Sequence, residues 1–280
     1  MLSISVSKDG DRETLPFALT QEMVSSTIRA MADAVVTPPS ASALQQLQLL
    51  VAACCRLLHM EGLLNYSGHV SARVPGREAL LIHPFVESRA SVSADDLLLS
   101  DFDCRLLSDS QRSELPLETP IHGEIYRARP DVQAVAHTHS ELAPVFTLAD
   151  VRLLPMKASA VRWASGIPIH PDPSLIRTAE QGRALAATLG PHQAALLRAH
   201  GGVIVAESVP AVLVDAIHFE ENARAQLQAQ ALGAIKPLTP EEIELLQRRS
   251  NRTRHIPKLW RYYVGRGLAA GVLDSGEELL

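Results

Sequence analysis

Between Asn65 and Asp103 the chain breaks into short apolar runs, residues 70–74, 79–82 and 97–99, separated by Gly, Pro and Ser, and this is strand-and-turn chemistry. Helical periodicities lie on both sides of it, so strands and helices have to share one body. Ahead of it, Leu44, Leu47, Leu50, Val51, Cys54, Leu57 and Leu58 recur at three-and-four spacing, which predicts a helix over residues 41–60 with one buried face, stopped by Gly62. Behind it, the pattern predicts a helix at about 120–129, a short strand over 132–136, and helices over 140–147, 174–189 and 209–232. Apolar strands at 194–197 and 203–205 flank Ala199-His200-Gly201-Gly202, and a charged helical tail covers 239–268. The elements interleave without the strict repeat of a parallel βαβ series and without an internal repeat. This predicts a single α/β domain with an irregular, largely antiparallel sheet.

The apolar supply suits such a body, because 46% of the 280 residues are hydrophobic and 20% are charged. Twenty-six Lys and Arg against 31 Asp and Glu leave a formal charge of −5. The basic residues are scattered and form no footprint for nucleic acid. No window of about 18 uninterrupted apolar residues occurs, and the opening residues lack a basic segment followed by an apolar one, so neither a membrane partner nor an export signal is expected. Cys54, Cys55 and Cys104 offer no disulfide framework. The expectation is a protein of the reducing cytoplasm.

His137 and His139 follow an apolar strand one residue apart. In extended backbone they point to the same side, so two imidazoles can converge on one ion. Taken alone, the pair fits a metal site or a surface strand end. His200 repeats the setting, an apolar strand leading into His and then Gly201-Gly202, where the backbone can turn tightly and approach a ligand. Three neutral imidazoles with an open position make a catalytic rather than a structural site of the zinc type. Glu118 lies at the mouth of the helix before the strand that bears His137, where a carboxylate is favoured by the helix dipole; by itself it reads equally as a helix-start residue.

Gly68-His69-Val70-Ser71-Ala72-Arg73, Glu118 followed by His122, Tyr126 and Arg129-Pro130-Asp131, then Ala134-Val135-Ala136-His137-Thr138-His139, and finally Arg198-Ala199-His200-Gly201 together resemble the class II aldolase/adducin family. The resemblance runs from about residue 44 to 232 in the family's order and spacing. It implies the family's three-layer fold, a central, mostly antiparallel sheet flanked by helices, and commonly a homotetramer with sites at subunit interfaces. It also implies one divalent metal ion per subunit on His137, His139 and His200, zinc or manganese ahead of iron, with Glu118 as the catalytic carboxylate. The domain reading is then an N-terminal extension over 1–40, a catalytic domain over 41–235, and a helical tail over 236–280 whose Trp260, Tyr262 and Tyr263 are interface chemistry between subunits.

The chain departs from the family's sugar-phosphate members in a consistent direction. Where those hold phosphate with an Asn, a Ser-Gly turn and a Ser-Ser pair, this sequence has His69, His83-Pro84-Phe85-Val86-Glu87-Ser88 and Pro116-Leu117. Losing small donors and gaining Phe85 and Leu117 removes the hydrogen bonds a phosphate dianion needs. The aldolases' mobile tyrosine has no counterpart either, since no Tyr occurs between Tyr126 and Tyr262. The resemblance is closer to decarboxylases of hydroxylated aromatic and pyridine dicarboxylates. It implies a metal-dependent carbon–carbon lyase, a decarboxylase of a hydroxylated aromatic or heteroaromatic carboxylate, and the basic groups His69, Arg73, His83 and Arg89 on the turns where phosphate would sit are the expected substrate-binding residues. An aldolase for an unphosphorylated 2-oxo or hydroxy acid, a three-histidine iron oxygenase and a silent adducin-like module are the alternatives.

Overall fold

The computed structural model describes residues 41–107, 114–277 and 279. The expected extension over 1–40 lies outside them. Helix α1 (Ala41–Met60) leads into strands β1 (His69–Arg73), β2 (Ala79–Ile82) and β3 (Leu98–Asp101), then α2 (Thr119–Ala128) and β4 (Ala134–Thr138). Two 3₁₀ segments (Ala143–Thr147 and Ala158–Trp163) precede β5 (Ile169–His170), α3 (Ala179–Leu189), β6 (Ala194–Leu197), β7 (Gly201–Ala206) and α4 (Val209–Leu232). Helices α5 (Pro240–Arg249) and α6 (Arg252–Ala269) close the order. The strands form one seven-stranded sheet in the order β3-β2-β1-β4-β7-β6-β5, antiparallel except for the β5–β6 pair.

The period-two alternation of strand side chains explains why these strands are apolar throughout rather than every second residue. Val70, Ala72, Ala134, Ala136, Leu196, Ile204 and Ala206 join the core under α1, α4 and α6. Val135, Ala195, Leu197, Val203 and Val205 join a second core under α2 and α3. The sheet is therefore covered on both faces, and the fold is the expected three-layer α/β one. His137 shares its parity with Val135 and so faces the α2 side. By the same parity His69, Ser71 and Arg73 of β1 face α2 as well, because His69 and Ser71 pair with His137 and Val135.

Helix α1 is long and apolar enough to cross a membrane by length and composition. Its residues Val51 to Leu58 are instead buried in this chain's own core. Helix α6 enters the same core through Ile256, Trp260, Tyr263 and Val264, and Trp260 donates its indole N–H to the Leu279 carbonyl. Of the three tail aromatics, Tyr262 is the exposed one.

Helix boundaries differ from the sequence pattern at three places. The helix predicted over 140–147 is observed as a 3₁₀ turn at Ala143–Thr147, with the Glu220 carboxylate of α4 accepting the Leu142 and Ala143 N–H groups at its head. The helix predicted from 174 starts at Ala179, where Thr178 and Gln181 form a capping box. The tail divides into α5 and α6 at Ser250 and Asn251, the C-cap of one and the N-cap of the other.

Strand β7 begins tight against the end of β4, where the hairpin from β6 turns. A Cβ on Gly201 would stand 2.3 Å from the Thr138 carbonyl oxygen, against backbone that cannot yield. Gly201→Ala is therefore expected to cost about 1–3 kcal/mol, the usual range for overpacking. Urea denaturation should show a lower midpoint at unchanged slope.

Candidate active site

Strand β4 is paired on both sides, by β1 and by β7, and it carries His137 within its length and His139 just past its end. His139 is tied down by its own N–H, which donates to the Leu63 carbonyl at 3.2 Å. His200 comes from the β6–β7 connection, where the His200 N–H donates to Leu197 O at 3.2 Å and Ala199 adopts a left-handed φ of 53°. Such a backbone is uncommon for a residue with a Cβ. Donation from the Ala199 N–H to Thr147 Oγ1 at 2.9 Å holds it in place.

The three rings stand edge to face, with centroids 4.8 Å apart for His137–His139 and 4.9 Å for each of the other two pairs. Glu118 is the N-cap residue of α2, yet its side chain makes no capping bond to its own helix. Its Oε1 accepts the Ile176 N–H at 3.0 Å, and its Oε2 lies 3.6 Å from Nε2 of both His137 and His200. One donor atom from each of Glu118, His137, His139 and His200 lies within 4.8 Å of the others. This is the one cluster of its kind among the described residues.

The cluster suits a divalent cation. His137 donates Nδ1–H to the Gly202 carbonyl at 3.1 Å, which leaves its Nε2 lone pair facing inward. That nitrogen is 3.0 Å from Nε2 of His139, near the roughly 3.3 Å separating two imidazole nitrogens on a tetrahedral ion with 2.0–2.1 Å bonds. Both ring nitrogens of His200 are buried without a hydrogen-bond partner. Burial, reinforced by the neighbouring imidazoles, lowers the His139 pKa to about 3, so the ring is a neutral donor at ordinary pH. At Glu118 burial acts upward, but the His137 and His200 rings 3.6 Å away and the hydrogen bond from the Ile176 amide outweigh it and hold the carboxyl well below the ordinary range.

Of the four residues expected to bind substrate, three gather beside this cluster. The His69 ring lies 5.1 Å from His137 and 6.1 Å from His83. His83 is buried, donates Nδ1–H to the Pro84 carbonyl at 2.8 Å, and leaves Nε2 without a partner. Its pKa falls to about 4, chiefly through burial and then through the Arg89 charge. Arg89 is 6% exposed as a residue, and its guanidinium donates to the Gly68, Phe85 and Glu87 carbonyls. No carboxylate pairs with it among the described residues.

Arg73 is not brought to the site. Four residues along β1 from His69, about 13 Å at the usual strand rise, it donates to the carbonyls of Tyr126, Arg129 and Val132. There it satisfies the orphan carbonyls at the end of α2, and its guanidinium lies over the Tyr126 and Phe102 rings. Two groups that matter to the site were not singled out from the sequence. The Ile176 amide, which orients Glu118, carries no side-chain signal, while Ser71 stood in plain view inside the Gly68–Arg73 motif. A cavity of about 630 Å³ lies away from this site. It is lined by Arg162, Asp215, His218 and Arg252 among α4, α5 and α6, and three of these charges pair with one another.

Residues 49–227 match the Class II Aldolase and Adducin N-terminal domain, and the chain belongs to that family. The 3,4-dihydroxyphthalate decarboxylase of Arthrobacter keyseri is 30% identical over 206 residues, 69% of this chain and 83% of that protein. The 4-hydroxy-3-prenylphenylpyruvate oxygenase/4-hydroxy-3-prenylbenzoate synthase of Streptomyces roseochromogenus subsp. oscitans is 32% identical over 166 residues, 59% of this chain and 58% of that protein. Among solved structures, an aldolase II superfamily protein from Pseudomonas syringae superposes with a TM-score of 0.73 at 22% identity, covering 88% of this chain and 98% of that one. Within the family this chain is an enzyme of the carbon–carbon lyase type, on the side of the aromatic-acid decarboxylases.

Proposed function

We propose that the chain is a metal-dependent decarboxylase of a hydroxylated aromatic dicarboxylate, of the 3,4-dihydroxyphthalate kind. The observation that carries the reading is the company kept by the three imidazoles, namely neutral His69 and His83 and a buried Arg89 with no carboxylate partner among the described residues. A guanidinium without a carboxylate partner is a place for a ligand's carboxylate. Phe85 and Leu117, each about half-exposed at 43% and 48%, follow His83 and precede Glu118, so the adjoining surface is apolar enough for a ring.

His137, His139 and His200 would hold the ion, with zinc or manganese as the metal. Bound there, a divalent ion supplies a Lewis acid that draws electron density from a hydroxy-carboxylate as carbon dioxide leaves, an effect worth several kcal/mol. Glu118, ionised and fixed by the Ile176 amide, takes the hydroxyl proton of the arriving substrate. When the bond from ring to carboxyl breaks, the electron pair stays on the ring carbon, and Glu118 returns the proton to that carbon. Arg89, with His69 and His83, holds the carboxylate that remains.

The test follows released carbon dioxide and dissolved oxygen together, with 3,4-dihydroxyphthalate as substrate. Stoichiometric carbon dioxide without oxygen uptake is expected. Oxygen uptake would favour the second reading, an oxygenase on the same three histidines, for which the Streptomyces relative is the argument. An aldehyde product would overturn both. Arg89→Met is expected to leave bound metal unchanged and raise KM about 10- to 100-fold, as for loss of charge-assisted hydrogen bonds worth about 1.5–3 kcal/mol. Steady-state kinetics on the metal-loaded variant reads this directly.

We also assign residues 41–235 to the catalytic body and 236–280 to the tail, in a cytoplasmic homotetramer with sites at subunit interfaces. Arg261 and Tyr262 on α6 are among the exposed tail residues open to a neighbour. Native mass spectrometry counts the chains.

A further inference from the structure

Beneath His69 runs a file of buried polar groups that binding of metal or substrate does not require. Tyr126 on α2 is 1% exposed, and its phenol oxygen lies 2.7 Å from Ser71 Oγ on β1. Ser71 Oγ lies 2.6 Å from His122 Nδ1, and His122 Nε2 lies 2.9 Å from His69 Nδ1. Ser71 and His122 are fully buried and His69 is 4% exposed. Burial lowers the His122 pKa to about 3, with the neighbouring imidazoles adding to it, so this ring carries one proton, not two.

The direction of the file follows from counting protons. The Tyr126 phenol meets one side-chain partner, Ser71, and a buried O–H that donates to nothing costs roughly 1–3 kcal/mol. Tyr126 therefore donates to Ser71. The single Ser71 proton then goes to His122 Nδ1, the other atom in reach. His122, accepting at Nδ1, has its proton on Nε2 and donates it to His69 Nδ1. The one proton left to neutral His69 sits on Nε2. Run in reverse, the file would set Ser71 donating to Tyr126 and strand the phenol proton.

We propose that Tyr126, Ser71 and His122 form a one-way hydrogen-bond relay that fixes His69 as an Nε2–H donor beside the three metal-binding imidazoles. Its direction is independent of the decarboxylase reading; what the Nε2–H meets, a carboxylate or phenolate oxygen of an aromatic acid, rests on that reading. His69 then contributes a donor, cannot take a proton at Nε2, and so selects for acceptor oxygens. It leaves Glu118 as the group that moves protons. His122, Ser71 and Tyr126 are positioning residues, since each acts through His69.

Neutron diffraction from deuterium-exchanged crystals of the full chain reads the relay without any turnover. Deuterons are expected on His69 Nε2, on His122 Nε2 and on the Tyr126 oxygen facing Ser71. A deuteron on His69 Nδ1 would overturn the proposal, even if the enzyme proves to be a decarboxylase. Conversely, failure to release carbon dioxide from hydroxyphthalates would sink the function and leave the neutron result standing. Calorimetry with phthalate as an unreactive probe tests the donor role on metal-loaded protein. Ser71→Ala frees His122 and His69 to exchange tautomers and is expected to weaken phthalate about tenfold at unchanged metal content. Tyr126→Phe, which keeps the Ser71 hydroxyl, is expected to weaken it about threefold and serves if Ser71→Ala fails to fold. Unchanged affinity in the folded variants, or no phthalate binding by the parent protein, would count against His69 as the donor.

Discussion

His139→Ala is expected to lose metal and activity together. His139 sits past the end of β4 and is partly exposed, so alanine there removes a donor nitrogen without hollowing a core, and the change in stability is expected to stay near the 0.5 kcal/mol typical of surface sites. Two of the three assigned imidazoles then remain, one short of the three protein ligands that a catalytic site of this type uses. Losing a Lewis acid worth several kcal/mol, at 1.36 kcal/mol per tenfold, corresponds to a fall of about 10³ or more in kcat/KM. Elemental analysis after gel filtration, alongside a thermal melt, checks the pairing of the two losses. A variant that keeps full metal while losing activity would show that His139 is not a ligand.

Glu118→Gln is expected to separate what His139→Ala joins. The glutamine carbonyl can still accept the Ile176 N–H that Glu118 Oε1 accepts at 3.0 Å, so the side chain should keep its place at the head of α2. An amide cannot carry a proton from hydroxyl to ring carbon, and the expected fall in kcat is about 10²–10⁴, the usual contribution of a positioned acid–base group. Metal content should remain that of the parent protein. Activity within a few-fold of the parent would remove Glu118 from the proton path.

Much of this was legible from the chain because strand chemistry constrains side chains strongly. An apolar run ending in His137-Thr138-His139 forces the two imidazoles to one side, and the structure brings them together with His200 and Glu118. Arg73 shows where such reasoning stops. It lies on the same face of β1 as His69, within the same motif, so period-two parity gives both the same orientation. What separates them is distance along the strand and the position of α2, whose final carbonyls lie beside Arg73. Those are tertiary facts. The turn at 143–147 is likewise tertiary in its setting, since Glu220, 77 or more residues away in sequence, accepts the amides at its head. Ile176 was illegible in principle, because a backbone N–H belongs to every residue type except proline.

The pairing of β4 on both of its edges has a consequence for how the protein tolerates chelators. The strand that carries His137 and leads into His139 owes its shape to β1 and β7 rather than to an ion, and an apolar core packs on each face of its sheet. Stripping the cation with EDTA should leave far-ultraviolet circular dichroism essentially intact, and adding the ion back should restore turnover without a refolding lag. Such a scaffold waits for its ion, unlike a zinc finger, which the ion itself has to fold.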